Sequence, residues 1–74
     1  MIQDRFAILL EEKRVRDQQR WPIREIQRET GIATDTVRAW RRGTVRRMRE
    51  PTIINVCEFL ECGIDDLLVY VEDE

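Results

Sequence analysis

Three observations predict an all-α fold for this chain: a compact five-helix domain that contains a helix-turn-helix. Apolar residues recur at spacings of three and four rather than two. Pro22, Gly31, Gly43, Pro51 and Gly63 punctuate the chain into short segments. No stretch alternates convincingly between apolar and polar, so no strand is expected. The 74 residues form one domain, 1–74. A chain this short buries only roughly 60% of its unfolded surface, enough for one core and too little for a deep substrate cavity.

Each element follows from its residues. Ile2, Phe6, Leu9 and Leu10 keep helical spacing with charges between them, which predicts a first helix over about 2–18. Trp21-Pro22 ends it, because proline is tolerated only in the first turn of a helix. A second helix, PIREIQRET, starts at that proline, buries Ile23, Ile26 and Thr30, and stops at Gly31. Ile32 is an isolated apolar anchor. A third helix begins near Thr34, whose hydroxyl is placed to cap it, and ends at Gly43. Val37 and Trp40 face inward along it. TVRRMREP is a loop closed by Pro51. Thr52 is the expected cap of a fourth helix, TIINVCEFLEC, with Ile53, Val56, Cys57 and Leu60 inward and Gly63 as its stop. A short fifth helix, IDDLLVYV, turns Leu67, Leu68 and Val71 inward, and the acidic tail 72–74 frays.

Charge is distributed unevenly. The net charge is only -2, yet residues 20–50 carry nine Arg against four acids. Residues 51–74 carry seven acids and no base, and residues 1–19 balance. A basic middle is therefore averaged against an acidic end. No run of about 18 apolar residues is present, so no membrane span is expected. No secretory signal is visible, which favours a cytoplasmic protein. Cys57 and Cys62 are the only cysteines and there is no His. Neither a zinc site nor any other cofactor is expected. Five residues apart on one helix, the two thiols would lie on different faces, as ordinary boundary residues. With no His to act as a base near neutral pH, no glycine-rich phosphate loop and no enclosed carboxylate pair, the sequence does not read as an enzyme. Asp65 and Asp66 sit at a helix start, where the helix dipole favours acids.

The helices over about 22–42 are joined by G-I-A, the spacing of a helix-turn-helix whose second helix enters the DNA major groove. With Val37 and Trp40 inward, the opposite face of residues 34–42 carries Thr34, Asp35, Arg38, Ala39 and Arg42 and no large apolar side chain. Arg38 can donate a fork of hydrogen bonds to guanine. Thr34 can offer a hydroxyl or a methyl. Asp35 either accepts from cytosine or steadies Arg38. Arg46, Arg47 and Arg49 follow in the loop, where phosphates need charge and little geometry. Arg41 and Arg42 at the helix end, and Arg24 in the first turn of helix 2, are further phosphate candidates. Charge runs are usually solvated faces, and Arg20 and Arg28 are read that way. Trp40 at this spacing is core rather than a base-stacking residue, and Trp21 is a boundary residue. Val69 and Tyr70 either cap the core or contribute to a dimer contact.

The pieces RFAILLEEK (5–13), IREIQRETGIATDTVRAWRRG (23–43), PTIINVCEFLECG (51–63) and IDDLLVYV (64–71) resemble, in order, the Cro/lambda-repressor-like (xenobiotic-response-element type) helix-turn-helix family. The similarity is to its compact variant, which ends soon after helix 5. The resemblance implies sequence-specific binding to double-stranded DNA by a small bacterial or phage transcriptional regulator, repressor-like and usually a homodimer. By position it implies base contacts from Thr34, Asp35, Arg38 and Ala39, with Arg42 beside the phosphates. Three departures stand out. Ile23 occupies the place of a phosphate-binding Gln. Gln27 stands where a small residue is common. The junction VRDQQRW and the loop TVRRMRE are both longer than usual. The alternative reading is a protein-interaction module on the same fold, antitoxin-like or a regulatory partner, and a narrower one is RNA binding. A-form RNA closes its major groove to a helix, so competition between duplex DNA and RNA separates the last from a DNA binder.

Overall fold

The computed structural model describes residues 1–72. The acidic tail expected at 72–74 therefore lies mostly outside the described residues. In chain order the elements are β1 (Ile2–Asp4), α1 (Phe6–Asp17), α2 (Ile23–Thr30), α3 (Thr34–Arg42), α4 (Glu50–Leu60), α5 (Ile64–Leu67) and β2 (Leu68–Tyr70). The five helices surround one core of Phe6, Ile26, Ile32, Val37, Trp40, Val56, Leu60 and Leu67, each nearly inaccessible. Phe6 and Trp40 meet at its centre as a tilted aromatic pair, ring centroids 6.1 Å apart.

The two ends of the chain depart from the sequence expectation. Helix 1 does not start at residue 2, and helix 5 does not continue to residue 71. Residues 2–4 and 68–70 instead pair as an antiparallel two-stranded ribbon, with Ile2 opposite Tyr70, Gln3 opposite Val69 and Asp4 opposite Leu68. Backbone bonds extend it on both sides, from Arg5 N–H to Leu67 O at 2.7 Å and from Val71 N–H to Met1 O at 2.8 Å. The Asp4 carboxylate accepts the Phe6 N–H at 3.1 Å, which closes the ribbon and opens α1. Partial burial raises the Asp4 pKa against the pull of these backbone bonds. Val69 is half-buried and Tyr70 exposed, so Tyr70 does not cap the core, and Val71, expected inward, is only half-buried.

The helix ends also differ. Thr34 does not cap α3: Ala33 takes the N-cap position, with no side-chain bond. Thr52 does not cap α4, which begins at Glu50 with Arg49 at its N-cap and Pro51 in the first turn. Gly63 does not end α4. The helix stops at Leu60 because Glu61 turns left-handed (φ 57°), and Gly63 occupies the N-cap of α5. Gly31 and Gly43 end α2 and α3 as expected, at φ 73° and 71°. Gln18 ends α1 in the same left-handed conformation (φ 51°), a posture costly for a residue with a Cβ. Gln18→Gly is expected to stabilise the fold by about 0.5–1 kcal/mol. This would appear as a higher urea midpoint at unchanged m, and an unchanged or lower midpoint would contradict it.

The early stop of α4 also moves the thiols. Cys62 lies past the helix, its N–H bonded to Cys57 O at 3.0 Å. The two cysteines therefore line one groove rather than lying on different faces of a helix. Burial, the neighbouring Cys57 thiol and the nearby Asp66 and Asp65 push the Cys62 thiol up to about 11. At about pH 7.5 Cys62 should therefore alkylate with iodoacetamide roughly 10- to 100-fold more slowly than a free cysteine. Peptide mapping of the labelled protein measures this, and a rate equal to that of a model thiol would contradict it.

Nothing in the local sequence around Lys13 announces its burial. The residue is only 7% exposed. Its ammonium lies over the Trp21 ring (5.1 Å) and the Phe59 ring (5.0 Å) and pairs with Asp17 at 2.9 Å. Trp21 and Phe59 pack edge to face, 5.0 Å apart. This box ties the α1–α2 junction to α4. The lysine stem fills apolar space while its charge meets two ring faces and one carboxylate.

Candidate nucleic-acid interface

α2 and α3 are locked together by bonds of their own. Thr30, itself buried, donates its hydroxyl to Ile26 O at 2.7 Å and accepts the Ile32 N–H at 3.2 Å. The backbone of the turn is thus satisfied while Ile32 enters the core. Gly31 supplies the left-handed residue, its N–H bonded to Gln27 O at 2.7 Å. Across the turn, Thr34 donates its hydroxyl to the Gln27 side-chain oxygen at 3.0 Å. Gln27, in the place of a small residue, thus bonds the two helices to each other instead of holding them apart.

With Val37 and Trp40 each 1% exposed, α3 turns its other face outward. Asp35, Arg38, Arg41 and Arg42 line that side, with Thr34 and Ala39 beside them. Arg38 reaches Asp35 at 3.5 Å, an open ion pair on one helical turn. Arg38, Arg41 and Arg42 gather with Ile23 around one shallow depression. The apolar first residue of α2 therefore shares this depression with three arginines. Arg41 also lines a second hollow with Leu10, Glu11, Arg14 and Trp21, on the α1 side of the helix.

α3 ends in a pair of backbone bonds, Gly43 N–H to Trp40 O (3.2 Å) and Thr44 N–H to Ala39 O (3.0 Å), the closure of a Schellman turn. From there the loop to α4 is held by its apolar members. Val45 and Met48 pack against the core, while Arg46, Arg47 and Arg49 stay exposed. Arg46 lines a hollow it shares with Met1 and Ile2, so the first strand adjoins this loop. That neighbour is not legible in the sequence, where residues 1 and 46 have no local relation.

The charges divide by location. Arg14 pairs with Glu11, Arg16 with Asp17 and Glu61, and Arg28 with Glu25. Among the described residues, Arg24, Arg41, Arg42, Arg46, Arg47 and Arg49 form no ion pair, and neither do Arg5 and Arg20, while Arg38 pairs within α3. Arg28 is therefore occupied within its own helix, as a solvated residue would be.

Two short helices crossing at a tight glycine turn, the second presenting a polar basic face, define a helix-turn-helix protein of the DNA-binding class. Residues 9–73 match the family model of the Cro/C1-type HTH DNA-binding domain, and the chain belongs to that family. No curated protein and no solved structure matched it. Membership supports DNA binding and a role in transcription regulation, in a family that is generally not enzymatic. Among the described residues no helix is long and apolar enough to cross a membrane.

Proposed function

We propose that this protein is a small, repressor-like transcriptional regulator that binds double-stranded DNA sequence-specifically, with α3 in the major groove. The observation that carries the reading is the concentration of unpaired arginines at and just after the end of α3 (Arg41, Arg42, Arg46, Arg47 and Arg49), whereas elsewhere Arg14, Arg16 and Arg28 pair with acids and the unpaired Arg5, Arg20 and Arg24 are scattered. Base edges are read by Arg38 and Asp35, with Thr34 and Ala39 beside them. The Thr34 hydroxyl proton is committed to Gln27, so Thr34 contributes its methyl or an acceptor lone pair. The Asp35 pair pre-orients Arg38 toward a guanine and relaxes when the fork engages O6 and N7. Arg24, Arg41, Arg42, Arg46, Arg47 and Arg49 contact phosphates and set the register.

Selection of bound duplexes from a random pool tests the whole reading. A preferred sequence is expected. For a homodimer it takes the form of an inverted repeat with half-sites about 34 Å apart. Failure to retain any duplex above background at low salt would remove the proposal. Within a selected site, Arg38→Ala should erase preference at one base pair, a loss of about 1–3 kcal/mol of discrimination with the other positions unchanged. Competition with single-base variants of the site measures it. Preference intact at every position would take Arg38 off the reading face.

A further inference from the structure

On the surface formed by α4 and α5, away from α3, lies an open groove of about 960 Å³. Its floor is apolar, with Ile53 and Cys57 from α4 and Met48 at one end. Ile54 and Ile64 stand on its banks with 46% and 56% of their surface exposed. Its rim is acidic: Glu50, Glu58, Glu61 and Asp66 line it, and no Lys or Arg does. Among the described residues only Glu61 of these is ion-paired, to Arg16 at 3.2 Å. Asp66 accepts a hydrogen bond from Gly63 N–H.

We propose that this groove docks a basic amphipathic helix of a second, different protein. The occupant must supply apolar side chains to the floor and cations to the rim. An amphipathic helix with anchors at i, i+3, i+4 and i+7 and lysine or arginine on its flanks supplies both. An extended strand gains most of its affinity from a sheet edge, and walls made of two helices present none. The rim argues against a second copy of this chain. A symmetric pairing sets carboxylates against carboxylates. A head-to-tail pairing would have to set one of the chain's basic surfaces into the groove of the next copy, which covers the DNA-facing arginines or builds a ring or an open chain rather than a closed pair. Nucleic acid and anionic lipid are repelled by the same carboxylates.

Three designed peptides of about 18 residues, roughly five helical turns, test this against the full isotope-labelled chain by NMR without DNA. The first carries a leucine face and a lysine face. The second has the same composition with the faces scrambled. The third has glutamate in place of lysine. The first is expected to shift the amides of Ile53, Ile54, Cys57 and Ile64 saturably, with Kd on the order of 10 µM and weaker binding at higher salt. The other two should leave those amides unmoved. Ile54→Ser and Glu58→Lys should each weaken the first peptide by about tenfold, and their own spectra report whether the fold is kept. Equal binding by the scrambled peptide, no response at these amides, or undiminished binding to Glu58→Lys would overturn the proposal. So would concentration-dependent shifts in the groove without any peptide, because a second copy would then cover it. The readout does not involve DNA, so its failure leaves the regulator reading untouched.

Discussion

Trp40→Ala is expected to leave most of the chain unfolded at 25 °C. The indole is 1% exposed, lies against Phe6 at the centre of the core and is the largest fully buried side chain. Removing a buried Trp costs about 3–5 kcal/mol. A single core in a chain of about 70–80 residues rarely supplies more than about 3–5 kcal/mol in all. Urea titration followed by circular dichroism should show a baseline already sloping at zero denaturant. Trp40→Phe, which keeps a ring in the same space, should retain a cooperative transition at a lower midpoint. The result also decides between two roles for this side chain. A tryptophan that stacked on a base would lose DNA binding with the fold intact. A cooperative transition in Trp40→Ala close to that of the parent would therefore refute the core assignment.

The second large effect concerns DNA affinity. The triple variant Arg46→Gln, Arg47→Gln, Arg49→Gln should bind every duplex more weakly while keeping the same rank order of sequences. Each phosphate neutralised contributes roughly 0.9 to the slope of log K against log salt, so losing three contacts should flatten that slope by about 2.7. Fluorescence anisotropy between about 50 and 200 mM salt measures it, a range over which affinity changes steeply for a protein making several phosphate contacts. The loop should keep its course, because Val45 and Met48, not the arginines, pack against the core. An unchanged slope would mean that these arginines are only solvated. A changed rank order would mean that they reach base edges. Arg38→Ala gives the opposite pattern, with one base position altered and the slope nearly kept.

The middle of the chain is legible in the sequence because its instructions are local. Pro22, Gly31, Val37, Trp40 and Gly43 are read from single-residue backbone preferences and a spacing of three; the last four behave as the sequence predicts, while Pro22 sits at the N-cap, one residue ahead of α2 rather than in its first turn. The arginines at 38, 41, 42, 46, 47 and 49 are visible as a cluster. Their division between a helix and the loop after Gly43 follows from the same pattern, but the pinning of that loop by Val45 and Met48 is visible only in the structure. The helix caps are less legible. Thr34 and Thr52 are good capping residues, yet the Thr34 hydroxyl is spent on Gln27 and α4 starts two residues ahead of Thr52. Glu61 rather than Gly63 takes the left-handed turn, against its own preference, because the chain must double back there to bring Leu67 into the core.

By itself, the sequence determined the all-α helix-turn-helix plan, the burial of Val37 and Trp40, the glycine stops at 31 and 43, and the concentration of positive charge at residues 38–49. These rest on periodicity, on φ restriction and on counting charges, all of which act within a few residues. Only the tertiary structure decided the rest. Residues 2–4 and 68–70 are a ribbon rather than helix ends, because each three-residue strand is stabilised by a partner at the far end of the chain. Lys13 is buried because Trp21 and Phe59 cover it from two other segments, while Asp17, one turn on in α1, pairs its charge. The acids of residues 50–66 surround an apolar groove because α4 stops early and α5 folds back beside it. Contacts between distant segments carry no local signature, so they become visible only once the chain is packed.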